Sequence, residues 1–365
     1  MKITAAVAWE PGAPLSIEEV DLDEPRPEEI LVRVAAVGVC HTDDHARHKR
    51  LPVELPMILG HEGGGTVERT GAAVTRVVPG ERVLFTPDYC GRCPRCRMGR
   101  TPYCDRSVEM TFTGLRPDGS PRAHHNGRPI RAAFFGQSSF ASHALVTERN
   151  IVPVPADAPL PLLAALTCGI QTGAGAALSA LPTGPGRTFA VFGTGAVGMA
   201  ALMAAVAGGT DQVIAVDRVA HRLALATELG AAHTIDTTGR DLGGVAAEIR
   251  ELTGGGVDAA LDTTSVPDVI RAAVESLARL GTAAIITGSG DDITLSASTL
   301  LTRGLRGIVG GDISPLVLLP RLLDLHARGR FPFERLVRTY PFADINTAIT
   351  DSLSGATIKP VLTLT

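Results

Sequence analysis

The sequence predicts an α/β protein in two parts, a β-rich domain followed by a doubly wound parallel sheet. Its 365 residues exceed what a single ordinary hydrophobic core organises. As far as about Thr147, short alternating apolar segments are separated by Gly, Pro and Asp, a pattern typical of antiparallel strands. After Arg187, near-continuous apolar runs alternate with helix-like runs, which indicates buried parallel strands joined by helices.

The predicted strands of the first part lie at residues 30–37, 65–68, 82–85 and 141–146. Those of the second part lie at residues 188–192, 212–216, 233–235, 257–262, 282–286 and 305–309. An amphipathic helix is expected at 314–328, and 340–364 should hold a helix and a strand that returns to the first domain. The expected domains are residues 1–169 with 309–365, and residues 170–308.

Composition and charge argue against several classes of protein. The net charge of -4 comes from interspersed acids and bases, so no basic stripe for nucleic acid is expected. The N-terminus lacks the apolar core of a signal peptide, which predicts a cytoplasmic protein without disulfides. Two uncharged stretches, 158–186 and 188–210, reach membrane-spanning length, but prolines and glycines interrupt them, and no membrane span is expected.

Four of the six cysteines form one cluster with the spacing C-x2-C-x2-C-x7-C: Cys90, Cys93, Cys96 and Cys104. A loop bent by Gly and Pro can close four thiolates around one ion, and four cysteines are the usual ligands of a structural zinc without an open position. Redox-active thiols, incidental thiols and an iron–sulfur site are the alternatives. Nearby arginines favour thiolates.

The other two cysteines, Cys40 and Cys168, are far apart in sequence, and His61 offers a third ligand. Two cysteines and one histidine leave the fourth tetrahedral position open for water or substrate, as in catalytic zinc sites. Each residue alone has an ordinary alternative, because cysteines are often buried apolar residues and a histidine beside glycine is often a loop residue. Spacing alone does not join these three residues.

A glycine motif, Gly193-x-Gly195-x-x-Gly198, follows a predicted strand and opens an alanine-rich helix. Asp217 stands nineteen residues after Gly198, at the end of the next predicted strand. This context is that of a Rossmann dinucleotide site, in which the glycines admit the pyrophosphate and the acid accepts from the ribose hydroxyls. Asp217 predicts NAD rather than NADP, although Arg218 could soften that preference.

With these motifs in order, the sequence closely resembles the zinc-containing alcohol dehydrogenases of the medium-chain dehydrogenase/reductase superfamily over nearly the whole chain. The resemblance is carried by the segments 38–43, 60–62, 90–104, 168–173 and 193–198. It implies a GroES-like β domain beside the Rossmann domain and an NAD-dependent alcohol dehydrogenase. It also implies two zinc ions per chain, the catalytic one held by Cys40, His61 and Cys168, and a homodimer or homotetramer.

The resemblance further assigns roles around the catalytic zinc. The hydroxyl of Thr42 resembles the group that hydrogen-bonds the substrate oxygen, and His45 the far end of a proton relay to solvent. Asp43 looks like the carboxylate that orients His61, and Glu62 like the acid behind the zinc.

For the cofactor, the resemblance suggests that His41 pairs with the pyrophosphate and that Arg222 lies near the adenosine ribose. Thr172 and Val197 would pack against the nicotinamide ring.

The substrate prediction rests on similarity to bacterial aryl (benzyl) alcohol dehydrogenases, strongest in the segment 134–143. Leu51, Phe85 and Phe134 fall where pocket-lining residues lie in relatives, and aromatic side chains near a zinc would accommodate an apolar or aryl alcohol. The alternative is that these side chains belong to the hydrophobic core.

Other functions on the same scaffold stay open at this point. Glutathione-linked formaldehyde oxidation and polyol oxidation are the nearest, although polyol enzymes commonly carry a carboxylate where this chain has Cys168. A non-catalytic NAD-binding protein is the alternative from another class, and the filled ligand and relay positions argue against it.

Overall fold

The structure is a computed structural model that describes residues 1–288 and 290–364. The chain divides into two compact units: Met1–Cys168 with Ser314–Leu319 and Glu334–Thr365, and Gly169–Ile313 with Pro320–Phe333. Arg330 donates to the carbonyl of Ala207, a hydrogen bond that holds its segment within the second unit. Ser289 and Thr365, which fall in the expected ranges 170–308 and 309–365, lie outside the described residues. The domain boundaries expected from the sequence, 1–169 with 309–365 and 170–308, remain a prediction.

The first unit is built mainly from antiparallel strands, as its alternating segments predict. Its strands up to residue 154 are β1 (Lys2–Ala8), β2 (Ser16–Leu22), β3 (Glu29–Gly38), β4 (Met57–Ile58), β5 (Gly63–Thr70), β6 (Arg82–Phe85), β7 (Ala123–His125), β8 (Arg128–Ile130), β9 (His143–Thr147) and β10 (Ile151–Val154). One sheet has the order β4-β1-β2-β7-β8, and a second joins β10, β6, β5 and β3, with β9 also on β3.

The second unit contains a parallel sheet, confirming the second part of the predicted fold class. Its strands are β11 (Thr188–Phe192), β12 (Gln212–Asp217), β13 (His233–Asp236), β14 (Val257–Asp262), β15 (Leu277–Ile285) and β16 (Gly304–Gly307), in the order β13-β12-β11-β14-β15-β16. Nearly every residue of β11 and β12 is buried, which explains their continuous apolar sequence.

Two further strands close the chain, β17 (Val337–Pro341) and β18 (Lys359–Thr363). β18 pairs antiparallel with β3, with Val361 opposite Gly38, and parallel with β17. The predicted return of the C-terminal strand to the first domain is therefore confirmed.

The α-helices range in length from four residues in α2, α4 and α10 to thirteen in α11. They are α1 (His41–Arg47), α2 (Pro94–Arg97), α3 (Ser107–Phe112), α4 (Leu160–Leu163), α5 (Gly169–Gly175), α6 (Ala196–Ala207), α7 (Ala220–Glu228), α8 (Leu242–Leu252), α9 (Pro267–Glu275), α10 (Ala297–Leu300), α11 (Pro315–Ala327) and α12 (Ile345–Ser354). A π-helical turn, Ala176–Ala180, continues α5, and 3-10 turns lie at Thr101–Tyr103, Phe134–Gly136, Glu148–Asn150, Ala164–Thr167, Gly310–Asp312, Phe333–Leu336 and Phe342–Asp344.

Each unit has its own apolar core. In the first, side chains of β1, β3 and β18 pack with those of α12, and in the second, β11, β12 and β14 pack against α8 and α9. Within residues 1–288 and 290–364, no single helix has both the length and the apolar content needed to cross a membrane. One pair of successive helices, Leu160–Thr167 with Gly169–Ala180, meets both criteria only when the two are taken together.

A buried ion network ties β3 to the loop before β7. Glu29 accepts from Nε and Nη2 of Arg116, at 2.9 and 3.0 Å, and from Nε of Arg122 at 3.1 Å. Arg122 in turn donates to the carbonyls of Gly136 and Leu145, at 2.9 Å each. Burial raises the pKa of Glu29, but the hydrogen bond from Arg116 and the charge of Arg122 outweigh it and lower that pKa overall.

Replacing Glu29 by Gln should destabilise the first unit by about 3–5 kcal/mol, because it leaves the buried guanidinium of Arg122 without its ion-pair partner and Arg116 with Asp23 alone. Urea unfolding followed by the fluorescence of Trp9, the one tryptophan of the sequence, reports on this unit. Glu28→Gln changes the neighbouring exposed glutamate and is the matched control. Equal unfolding midpoints for the two variants would contradict the prediction.

Candidate active site

Cys40 stands directly before α1 and shares a local hydrogen-bond pattern with Asp43. The backbone N–H of Cys40 donates to Oδ2 of Asp43 at 3.1 Å. The side chain of Asp43 is 1% exposed, so its position is fixed by the first turn of the helix. The turn that begins the helix therefore positions a thiol and a buried carboxylate together.

The same carboxylate orients His61. Oδ1 of Asp43 lies 2.8 Å from Nδ1 of His61 and accepts from the N–H of Gly60 at 3.1 Å. This bond leaves Nε2 as the free ring nitrogen, and Nε2 lies 3.2 Å from Sγ of Cys168. Asp43 thus orients the imidazole in the same way as the carboxylates that hydrogen-bond to histidine ligands in metal sites.

The three predicted ligands come together with Glu62. One ligand atom from each of Cys40, His61, Glu62 and Cys168 lies within 4.8 Å of the others. His61 and Glu62 are fully buried. Cys40 and Cys168 are half-buried. Two thiols, an imidazole and a carboxylate at this spacing are the donors that zinc takes, so the residues fit the implied ion.

The pKa values of this cluster reflect the proximity of its members. The hydrogen bond with Cys168 holds the pKa of Cys40 well below its usual range, while that same bond and burial raise the pKa of Cys168. Burial lowers the pKa of His61, but Asp43 and Cys40 outweigh it and raise that pKa well above its ordinary value. Binding a cation would displace the protons that these groups otherwise share.

Glu62 forms a buried ion pair with Lys359 of β18. The lysine side chain is 2% exposed, and its Nζ also donates to the carbonyl of Val39 at 3.3 Å. Burial raises the pKa of Glu62 to about 7, against the opposing effect of the lysine charge. The buried carboxylate of Glu62, next to the predicted ligands, is therefore paired with the ammonium group of Lys359.

The predicted relay residues lie on α1. Oγ1 of Thr42 is 3.6 Å from Sγ of Cys40, and His41 and His45 are exposed. Partial burial, together with the charges of Arg50 and His41, lowers the pKa of His45 below its ordinary value. A group that is neutral at physiological pH and reaches solvent is suited to accept and release a proton.

The four clustered cysteines also converge, with one Sγ from each within 4.8 Å. Sγ of Cys90 and Cys96 are 4.0 Å apart, and the N–H of Cys90 points to Sγ of Cys104 at 3.3 Å. Burial raises the pKa of Cys90, but the N–H groups of Arg92 and Cys93 bring it down to about 6. This set fits a closed tetrahedral ion site.

In the second unit, the glycine motif lies between β11 and α6. Gly193 has a φ of +88°, and a Cβ there would lie 2.5 Å from Oγ1 of Thr263. A Cβ on Gly198 would overlap the carbonyl oxygen of Gly193, so the close packing of strand and helix requires glycine. At Gly195 the nearest atom to a Cβ is 4.0 Å away, which leaves the helix N-terminus open to a phosphate.

Asp217 ends β12 and receives four hydrogen bonds. Oδ2 accepts from the N–H and the hydroxyl of Thr194 at 2.6 Å each, and Oδ1 accepts from the N–H groups of Arg218 and Val219 at 2.7 and 3.0 Å. These donors fix the carboxylate beside the glycine motif. The negative charge stands where a Rossmann acid meets the adenosine ribose.

Three more of the predicted cofactor residues, Arg222, Thr172 and Val197, lie in the same unit, whereas His41 lies on α1 of the first unit. Nε of Arg222 is buried and has no hydrogen-bond partner among the described residues, and Nη1 lies 4.0 Å from the Cβ position of Gly195. Thr172 is 8% exposed on α5. Val197 is the second residue of α6, and its carbonyl leaves room only for glycine at position 173. The open space at Gly195 and the unpartnered arginine nitrogen fit an anionic cofactor.

The predicted pocket residues are more buried than a substrate surface needs. Phe85 and Phe134 are fully buried, and Leu51 is partly buried against the core of the first unit. The Phe134 ring stands edge-on to His61, with centroids 5.8 Å apart. The structure thus brings Phe134 to the ligand histidine.

Three residues beside the predicted ligands were given no role from the sequence: Phe135, Gln137 and Lys359. The ring of Phe135 lies 4.6 Å from that of His61, and the Gln137 amide bonds the backbone on either side of Glu62. Lys359 stands in a short apolar strand, and nothing in its local pattern marks it as the partner of an acid about 300 residues earlier.

Two protein-family models match this chain. The family model of the alcohol dehydrogenase GroES-like domain matches residues 26–156, and that of zinc-binding dehydrogenases matches residues 196–314. A geraniol dehydrogenase from Castellaniella defragrans is 44% identical over 98% of this chain and 96% of its own length.

Solved structures agree. An alcohol dehydrogenase zinc-binding domain protein from Burkholderia ambifaria superposes with a TM-score of 0.97 at 46% identity, covering 100% of this chain and 99% of that one. Benzyl alcohol dehydrogenase from Acinetobacter calcoaceticus gives a TM-score of 0.95 at 39% identity, covering 100% of both chains. The chain therefore belongs to the zinc-binding alcohol dehydrogenases of the medium-chain dehydrogenase/reductase superfamily.

Proposed function

We propose that this chain oxidises primary alcohols that carry an aryl or other bulky apolar group to aldehydes, with NAD as hydride acceptor, and catalyses the reverse reduction. The observation that carries the proposal is the convergence of the buried His61 with the half-buried Cys40 and Cys168, with ligand atoms within 4.8 Å of one another. These residues would hold the catalytic zinc. Cys90, Cys93, Cys96 and Cys104 would hold a second, structural zinc.

Side chains of the protein would transfer the alcohol proton to solvent. When bound, zinc supplies a Lewis acid that favours loss of the alcohol proton, and NAD supplies the hydride acceptor. Asp43 keeps Nδ1 of His61 engaged, so that Nε2 presents its lone pair to the ion. The hydroxyl of Thr42 would take the alcohol proton and pass it on to His45, which is exposed and releases it to solvent.

NAD is proposed over NADP because of Asp217. Its fixed carboxylate would accept from the ribose hydroxyls and repel a 2′-phosphate. The glycines at 193, 195 and 198 would admit the pyrophosphate to the N-terminus of α6, with His41 beside the pyrophosphate and the guanidinium of Arg222 near the adenosine ribose. Thr172 and Val197 would support the nicotinamide.

The substrate class draws on two relatives. Their names specify geraniol and benzyl alcohol, and both alcohols carry a planar unsaturated carbon next to the CH₂OH group. Leu51, which is partly buried, would contact the apolar part of the substrate, and the fully buried rings of Phe134 and Phe85 would support the apolar wall from behind. The family resemblance also suggests a cytoplasmic homodimer or homotetramer.

On protein of verified zinc content, benzyl alcohol and geraniol should be oxidised with NAD at a kcat/KM about 10-fold or more above that for ethanol, hexanol or a polyol, since apolar contacts discriminate by about this factor. The initial rate of NADH formation measures this. His61→Ala should abolish turnover of every alcohol. Equal activity on a polyol would discard the substrate class, and an active His61→Ala enzyme would discard the zinc mechanism.

Asp217→Ser should raise kcat/KM for NADP relative to kcat/KM for NAD by about 10-fold or more. The reason is that removing the carboxylate removes a charge–charge repulsion with the 2′-phosphate. The ratio of kcat/KM for the two cofactors is the measurement. Asp236→Ser, at the end of the adjacent strand β13, removes an exposed carboxylate and is the control. An unchanged ratio in Asp217→Ser would rule out a ribose role for this residue.

The proposed role of His45 predicts how the rate of alcohol oxidation depends on pH on the acid side, or acid limb, of its pH–rate profile. Only the neutral imidazole accepts a proton, and its lowered pKa keeps it neutral to lower pH. The rate should therefore rise with pH through a pKa below about 6.5, the ordinary value for histidine. His45→Gln should slow oxidation about 10-fold and remove this limb. His48→Gln, just beyond α1, should leave the profile unchanged; a limb that persists in His45→Gln belongs to another group.

A further inference from the structure

The turn that carries Phe134 is conformationally strained. Phe135 has a φ of +52°, and Ser138 a φ of +51°, with Gly136 between them at +77°. A bulky aromatic residue rarely adopts this left-handed conformation, and it persists only where the surroundings hold it in place. The strained turn carries three side chains that contact the His61 segment, those of Phe134, Phe135 and Gln137.

The amide of Gln137 is fully buried and holds the backbone around Glu62. Its Nε2 donates to the carbonyl of His61 at 2.9 Å, and its Oε1 accepts from the N–H of Gly63 at 3.1 Å and from the hydroxyl of Ser139 at 3.0 Å. One side chain therefore fixes the peptide groups that follow the ligand histidine.

The ring of Phe135 packs on the imidazole itself. Its centroid lies 4.6 Å from that of His61, with an angle of 30° between the ring planes. Asp43 fixes Nδ1 by one hydrogen bond, which still permits the ring to turn about that bond. A neighbouring ring at this distance restricts that rotation by contact over the ring face.

We propose that Gln137 and Phe135 are positioning residues for the catalytic zinc site. Gln137 holds the backbone of His61, and Phe135 holds its ring, so that Nε2 stays aimed at the thiols of Cys40 and Cys168. This inference rests on the proposed role of His61 as a zinc ligand. Residues that orient a ligand histidine typically change metal affinity by about 10- to 100-fold when replaced.

The test compares zinc affinity in matched variants of the full-length protein. Gln137→Leu removes both hydrogen bonds with the His61 segment, and Phe135→Leu removes the ring contact with His61, each at similar volume. Asn150→Leu removes another fully buried amide, which bonds Thr147 and the carbonyl of Gly136 but does not touch this segment. Phe112→Leu removes a ring that packs against the rings of Phe134 and Phe135 and against the core of the first unit.

Zinc is titrated against a chelator of known affinity, with bound metal counted, and the cobalt-substituted protein gives a visible absorption spectrum sensitive to ligand geometry. Gln137→Leu and Phe135→Leu should each weaken one of the two zinc equivalents about 10-fold and shift the cobalt bands. Phe135→Tyr, which keeps the ring, should restore affinity to within about twofold. The other zinc equivalent should not change.

The outcomes separate this inference from the proposed function. If His61→Ala loses one zinc equivalent while Gln137→Leu and Phe135→Leu match Asn150→Leu and Phe112→Leu, positioning by these residues is overturned. If His61→Ala keeps both equivalents, the zinc assignment itself fails. Selective weakening in Gln137→Leu and Phe135→Leu, with recovery in Phe135→Tyr, supports both.

Discussion

The hydrogen bond between Asp43 and Nδ1 of His61 is the interaction on which the rest of the site depends. It is buried at both ends, it selects Nε2 as the nitrogen that faces Cys168, and its acceptor also bonds Gly60. Through Cys40, the same carboxylate is tied to the start of α1. One side chain therefore couples the helix that carries the proposed proton relay to the loop that carries the proposed zinc ligand.

The second unit is organised by steric rather than electrostatic constraint. Gly193 and Gly198 are required because a side chain at either would meet Thr263 or the carbonyl of Gly193, whereas Gly195 faces open space. The first two let the strand and helix approach, and the third leaves room for a ligand. Asp217 then adds a fixed negative charge at the end of β12.

Much of this could be predicted from the sequence because the relevant patterns are local. The apolar runs of the parallel strands, the C-x2-C-x2-C spacing and the G-x-G-x-x-G motif each lie within a few residues, and the structure places them as expected. Cys40, His61 and Cys168 could be joined only by resemblance, since their convergence is a property of the fold. Gln137 and Lys359 could not be foreseen, because a buried amide and a buried lysine have no pattern of their own, only partners far away in sequence.

The buried charges explain why such a lysine is tolerated. Glu62 and Asp43 are both enclosed beside two thiols that must lose protons to bind a metal, and a concentration of negative charge at this depth is unfavourable without compensation. Lys359 compensates Glu62 directly, and its second bond, to the carbonyl of Val39, anchors it one residue before Cys40. The C-terminal strand, paired with β3 through Val361 and Gly38, thus brings a cation to the ligand set from the opposite end of the chain. The same strand therefore closes the sheet and places a positive charge beside the proposed metal site.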